Sequence, residues 1–117
     1  MNKEEALQKI HLSLSTVEAQ VITPKGETYE KHVEKLAEML IDSVIDPVRV
    51  NVTSACALEG EYELYKKSVV WGIARSRGSW LLTLENEMEF ALGFGDSADN
   101  IMMHGFSSND VLGEWCT

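Results

Sequence analysis

The stretch from residue 68 to residue 106, SVVWGIARSRGSWLLTLENEMEFALGFGDSADNIMMHGF, decides the fold of this chain. It contains four apolar segments in succession, at 68–76, 79–85, 88–95 and 100–106. The connections between them are too short for parallel crossovers, which need about a dozen residues or more. The pattern therefore predicts four successive strands in an antiparallel meander.

The third of these strands has one bulky face and one small face. Met88, Phe90, Leu92 and Phe94 lie on one side, while Ala91, Gly93 and Gly95 lie on the other. A small-residue face allows close approach or strong twist, so the sheet is free to curve strongly.

Upstream of the meander, a period of two begins at Val48, because Val48, Val50 and Val52 alternate with polar residues. Residues 61–66 alternate weakly and are also interpreted as a strand. If they are extended, Glu59, Glu61 and Glu63 share one face, which we expect to be solvated.

The first 45 residues show helical periodicity instead. Leu7, Ile10, Leu14, Val17 and Val21 recur every three or four residues and predict a helix over about 3–21. A second apolar arc predicts a helix over about 24–45, ended by Asp46-Pro47. Gly26 and Thr28 offer a later start for this helix. The two helices predict an αα-hairpin.

The combined pattern predicts one α+β domain over residues 1–117. The N-terminal αα-hairpin packs on a mainly antiparallel, meandering β-sheet in a two-layer sandwich. Strands run from about 48 to 106, and a short C-terminal tail follows.

The net charge of the chain indicates which classes of partner it can bind. The chain has 19 acidic and 10 basic residues and a net charge of −9. Seven acids and no Lys or Arg lie between Gly78 and the end. Such a surface repels phosphate backbones and anionic lipids, so we expect neither nucleic acid nor membrane as a partner.

Location is inferred from what the sequence lacks. No apolar run approaches the roughly 20 residues of a transmembrane helix, and two acids near the start are unlike a signal peptide. We expect a cytoplasmic protein whose cysteines, Cys56 and Cys116, are free thiols.

No motif predicts catalysis, a metal or a cofactor. Gly93 begins a G-x-G-x-x-A match, but an acidic loop and another strand follow where the dinucleotide fingerprint needs a helix. His11, His32 and His104 lack the short spacings of zinc sites. An enzyme is therefore the less favoured class.

Candidate site residues are few. His104, Trp71 and Trp80 are the ligand-pocket candidates, although a cross-strand pair between the two tryptophans beside the Arg77-Gly78 turn is the favoured structural interpretation. Trp115, Asp96, Asp99 and Glu114 are the protein-binding candidates. Trp115 could instead pack the tail onto the sheet.

Two functional hypotheses result. The first is a small acidic, non-catalytic protein-binding module with a basic partner, such as an inhibitor, antitoxin or immunity-type protein. The alternative is a small-molecule-binding protein or enzyme with a pocket between the helices and the curved sheet. Homodimer formation is compatible with both.

Overall fold

The structure, a computed structural model, describes residues 1–57 and 60–116. It has the predicted α+β architecture, with helices packed on a largely antiparallel sheet. In chain order the elements are α1 (Lys3–Thr16), α2 (Tyr29–Asp42), β1 (Val44–Val50), β2 (Val52–Ala55), α3 (Gly60–Lys67), β3 (Val70–Ser76), β4 (Ser79–Leu84), β5 (Phe90–Phe94), β6 (Ile101–Ser108) and α4 (Val111–Trp115).

Helix α1 starts as predicted but ends earlier than residue 21. Asn2 caps it through a capping box with Glu5. Near its end, the hydroxyls of Ser15 and Thr16 donate to the Leu12 carbonyl, and Val17 is extended. Such side chain–backbone bonds compete with helix continuation, so the last two positions of the apolar stripe fall in the linker.

Helix α2 takes the later of the two expected starts. Gly26 has a φ of 94°, which interrupts any helix there, and Thr28 is the N-cap, accepting from the Lys31 N–H. The helix ends at Asp42, three residues before the predicted boundary. Val44, a β-branched residue, already pairs with Ala74 of β3.

The meander from β3 to β6 is confirmed, with antiparallel pairing throughout. The complete strand order is β1-β3-β4-β5-β6-β2, and β2 pairs with β6 in parallel. Only Asn51 separates the two edge strands. Its N–H donates to the Ala98 carbonyl at 2.8 Å and its carbonyl accepts from the Ile101 N–H at 2.9 Å. Because one residue joins strands at opposite ends of the strand order, the sheet curls into a barrel-like shape whose two edges meet at Asn51.

The prediction of a strand at 61–66 is wrong, because these residues belong to α3. Tyr62 and Tyr65, three positions apart, are its buried residues. Acids in the first turn and lysines in the last complement the helix dipole. Glu61 and Glu63 therefore share no strand face, and Glu59 lies outside the described residues.

Two cores lie on opposite faces of the sheet. The helix-side core lies between the sheet and helices α1, α2 and α4 and includes Ile10, Leu40, Leu81, Phe90 and Leu112. The barrel-side core is covered by α3 and includes Val52, Tyr65, Trp80, Leu82 and Met103. The small face of β5 belongs to the second core, where a Cβ on Gly93 would lie 2.7 Å from the Ile101 side chain. This confirms the close approach expected there.

The expected Trp71–Trp80 pair does not form. Trp71 lies opposite Thr83 and Trp80 opposite Arg75, with a register shift between Gly72 and Ala74. Trp71 packs against the helix-side core, whereas Trp80 belongs to the barrel-side core. The two indoles thus point to opposite faces of the sheet.

Candidate functional site

A bulge in β6 sets the geometry around His104. Gly93 of β5 pairs with Met103 and Ala91 pairs with Ser107, so an interval of two residues on β5 is matched by an interval of four residues on β6. Gly105, at the centre of this bulge, has a φ of 119°, a conformation that favours glycine. Bulges redirect side chains and occur often beside functional sites.

Three residues around the bulge form a partly exposed surface, which we call the β6 face: Met102, His104 and Phe106. Met102 is 39% exposed and Phe106 is 47% exposed. The imidazole of His104 lies edge-on to the ring of Phe106, with centroids 5.5 Å apart, and to that of Phe94 at 6.5 Å. The imidazole is thus held between two phenyl rings.

A cavity of about 530 Å³ adjoins this face. Its wall comes from three parts of the chain: the linker after α1, the second half of β6, and α4. The lining residues are Val17, Glu18, Gln20, His104, Phe106, Ser108, Asn109, Asp110, Gly113 and Glu114. The structure thus places His104 on a cavity wall, next to the protein-binding candidate Glu114. We call this space the His104 cavity.

Hydrogen bonds hold the carboxylates of the cavity in place. The Asp110 carboxylate caps α4, accepting from the Gly113 N–H at 2.9 Å, and also accepts from the Gln20 N–H at 2.8 Å. Ser108 donates its hydroxyl to Glu114 at 2.8 Å and accepts from the Asp110 N–H at 3.2 Å. The linker, β6 and α4 are therefore joined at this wall.

The electrostatics of the cavity differ from those of the open surface. Burial raises the pKa of Glu114, and the nearby Asp110 carboxylate raises it further, while Ser108 and His104 oppose this change. Among the residues that the structure describes, no lysine or arginine lines the cavity. The imidazole Nδ1 of His104 is buried and has no hydrogen-bond partner among the described residues. The described residues therefore do not fully replace the hydrogen bonds that the Glu114 carboxylate and the His104 Nδ1 would make with water.

The two tryptophan candidates lie away from this cavity. Trp80 is buried, donates its indole N–H to the Gly95 carbonyl at 2.9 Å, and has the Arg75 guanidinium 4.5 Å from its ring centroid. Trp71 packs under the helices, with the Arg49 guanidinium 5.7 Å from its ring centroid. Neither indole lines the His104 cavity.

The protein-binding candidates fall at both ends of β6. Asp96 and Asp99 are exposed in the turn that precedes the strand, whereas Glu114 lies beside its other end. At about 3.3 Å per residue, the eight residues of β6 separate the two ends by roughly 20 Å. Trp115 is partly buried and packs against the helix-side core, as expected for a tail that packs onto the sheet.

The histidines and cysteines form no common centre. His11 lines a groove between α1 and α2, His32 lines a third cavity with Cys116, and His104 lines its own cavity. Both cysteines are free thiols. Within residues 1–57 and 60–116, no three His, Cys, Asp or Glu side chains converge in a way that could hold a metal ion.

None of the described helices is long and apolar enough to cross a membrane.

Sequence reasoning missed several residues of the site. Phe106 and Ser108 are ordinary strand positions in the sequence, and Glu18 is two residues beyond the observed end of α1. The one available signal was the His104-Gly105 pair, since a glycine inside a strand often marks a bulge. Nothing local in the sequence brings residue 18 next to residue 114.

Comparisons with known proteins give no family assignment. No protein-family model, curated protein or solved structure matches this chain.

Proposed function

We propose that this protein is a small acidic, non-catalytic protein-binding module, and that its partner presents a basic surface to the β6 face. The class includes inhibitors, antitoxins and immunity-type proteins. The observation that carries the proposal is the combination of exposed apolar side chains on β6 with carboxylates at both of its ends.

The apolar part of the face supports a protein interface. Met102 and Phe106 are large, and both are more than a third exposed. Methionine and aromatic residues are enriched in protein interfaces, and a few residues near the centre of an interface carry most of its binding energy. A partner that covers these two side chains would gain from removing them from water.

The acidic part supports a basic partner. Among the described residues, the Lys or Arg that lies within 4.0 Å of a carboxylate is Lys67, next to Glu63, so none of the acids after Gly78 has such a partner. Lys9 interacts electrostatically with Glu89, Glu85 and Glu87, but its ammonium group donates its hydrogen bond to the Leu84 carbonyl. Since none of these acids forms an ion pair with a Lys or Arg among the described residues, their negative charge can attract an external cation.

The test is affinity capture from host lysate at stepped salt concentrations, read by mass spectrometry. Raising ionic strength from about 0.1 M to about 1 M shortens the Debye length from about 10 Å to about 3 Å. We expect a basic protein to be retained at the lower salt and released at the higher one. Capture of no protein, or capture unchanged by salt, contradicts the proposal.

A matched pair of variants locates the surface. Asp96→Asn with Asp99→Asn removes two charges beside β6, and Glu34→Gln with Glu38→Gln removes two charges from the α1–α2 groove. We expect the first pair to weaken retention of the partner more than the second. Equal effects would mean that net charge alone, and not the β6 face, attracts the partner.

A second candidate function is supported by the His104 cavity itself. Its volume falls within the range of small-molecule sites, about 300–1,000 Å³. The buried Nδ1 of His104, which has no partner in the described part of the chain, is a polar group of the kind that a bound molecule satisfies. A small-molecule-binding protein is therefore the alternative, and ligand titrations separate it from the first.

A further inference from the structure

The burial and hydrogen bonding of the Glu114 carboxylate suggest a more specific ligand than a basic surface in general. This side chain is partly buried at the wall of the His104 cavity, and the described residues give its carboxylate one hydrogen bond, from Ser108. The other carboxylate of the inner wall, Asp110, is already bonded to two backbone N–H groups. Of these two carboxylates, Glu114 keeps the greater acceptor capacity for a ligand.

A second carboxylate and an aromatic ring complete the surroundings. Glu18 is exposed at the edge of the cavity, on the linker that faces β6 and α4. Phe106 presents nearly half of its surface to solvent and also lines the cavity. Carboxylates and a phenyl face are the two kinds of group that attract organic cations, the second through cation–π contact.

The groups that line the cavity favour a planar cation. A guanidinium group presents several N–H donors in a fixed plane, bonds a carboxylate through two of them and stacks on an aromatic ring. An ammonium group makes point contacts only. The cavity is lined by carboxylates from α4 and the linker and by a phenyl ring from β6, and this set of groups suits a guanidinium better than an ammonium.

The geometry points to the His104 cavity as a receptor for a guanidinium group, carried by an arginine side chain of the basic partner, with Glu114 and Glu18 as its carboxylate ligands and Phe106 as its stacking surface. This inference rests on the proposed function, because the partner supplies the arginine. Asp110 and Ser108 act as positioning residues, since they hold α4 and the Glu114 carboxylate in place.

The test is a titration of the whole protein with N-acetyl-argininamide, followed by backbone NMR shifts. Its matched control ligand is N-acetyl-citrullinamide, which has nearly the same shape and no charge. We expect saturable shifts at residues 104, 106 and 114 with the arginine compound. The citrulline compound should bind at least about tenfold more weakly, a difference of about 1.4 kcal/mol.

Two variants assign the site. Glu114→Gln keeps the acceptor for the Ser108 hydroxyl and removes the charge, so the arginine compound should bind about tenfold more weakly. Glu38→Gln removes one charge from the α1–α2 groove and should leave the affinity unchanged. Equal binding of both compounds, no saturable shift, or an affinity that Glu114→Gln does not change would overturn the inference.

Two further outcomes separate this inference from the function on which it rests. If salt-sensitive capture of a basic partner persists while the arginine compound fails to bind, the cavity assignment is wrong and the protein-binding function stands. If free arginine binds at least about tenfold more tightly than the capped compound, the guanidinium comes from a small molecule, which overturns the partner's side chain as its source.

Discussion

The Glu114 carboxylate lowers the stability of the folded protein when it is ionised, and the same charge allows it to bind a cation. Its carboxylate is held by Ser108 at 2.8 Å, but burial disfavours the charged form and raises its pKa. A carboxylic acid whose pKa is higher in the folded than in the unfolded protein binds more protons in the folded state. Its ionisation therefore opposes folding, and a bound cation would offset that cost.

The pH dependence of stability tests this directly. As pH rises from the ordinary carboxyl pKa of 4.5 through the raised pKa of Glu114, the wild-type protein should lose stability relative to Glu114→Gln. We expect the variant to have the larger free energy of unfolding at pH 7, and the difference to shrink as pH falls to 4.5 and below. Urea denaturation of both proteins at several pH values measures it.

The control for that comparison is Glu38→Gln, which removes the same charge from an exposed position on α2. A difference between wild type and Glu114→Gln that stays constant across the pH range would show that Glu114 ionises equally easily in both states. A similar pH-dependent gain in Glu38→Gln would assign the effect to net charge.

At the scale of elements, the position of helix α4 is held by hydrogen bonds to Ser13 of helix α1. Ser13 is 1% exposed, and its hydroxyl donates to the Asn109 carbonyl at 2.6 Å and accepts from the Val111 N–H at 3.0 Å. Asp110 joins the same helix start to the linker through Gln20. The short helix that carries Glu114 is thus held by bonds from distant parts of the chain.

Ser13→Ala tests this dependence. The change leaves two buried backbone groups without partners, which costs about 1–3 kcal/mol, and alanine's better helix propensity returns about 0.5 kcal/mol. We expect a net loss of about 1–2 kcal/mol in the free energy of unfolding, measured by urea denaturation. Ser15→Ala, whose exposed hydroxyl bonds only within the helix, should stay within about 0.5 kcal/mol of wild type. Equal effects would contradict a role for Ser13 in holding α4.

Sequence patterns predicted most elements because their periodicity is local. The meander could be inferred from short connections, and the small face of β5 from alternating glycines. The ends of α1 and α2 were missed because Ser15, Thr16 and Val44 act through hydrogen bonds and pairing that apolar spacing does not record. Residues 61–66 were misread because the segment is short, and the spacing of its two tyrosines and the acids and lysines at its ends are weak helical signals beside an apparent alternation.

At the scale of the whole molecule, the two edges of the sheet meet at Asn51 and are held by the pairing of β2 with β6. Asn51 joins β1 and β2, which lie at the two edges of the strand order, and it bonds to Ala98 and Ile101.

The candidate site could be predicted only in part from the sequence, because its residues come together through contacts between distant parts of the chain. His104 and Glu114 were identifiable by type, but Glu18, Phe106 and Ser108 join them through a tertiary arrangement and a two-residue bulge.

Asn51→Pro tests the closure. Proline removes the N–H that donates to Ala98, so we expect a loss of about 1–3 kcal/mol in the free energy of unfolding. Asn51→Ala keeps both backbone bonds and removes only an exposed side chain, so it should change stability by less than about 0.5 kcal/mol. Thermal and urea denaturation measure both variants. A tolerated proline would mean that this bond contributes little to closing the barrel.

The closing contact also bears on how the protein reaches its native state. Val52 meets Ile101, so a loop of about 50 residues must be drawn together before the interior is sealed. Neighbouring hairpins can pair quickly, while the parallel pairing of β2 with β6 comes late because distant partners must find each other. Until that step the apolar side chains of the barrel-side core stay in contact with water, and a fragment lacking β6 would leave this core open to solvent.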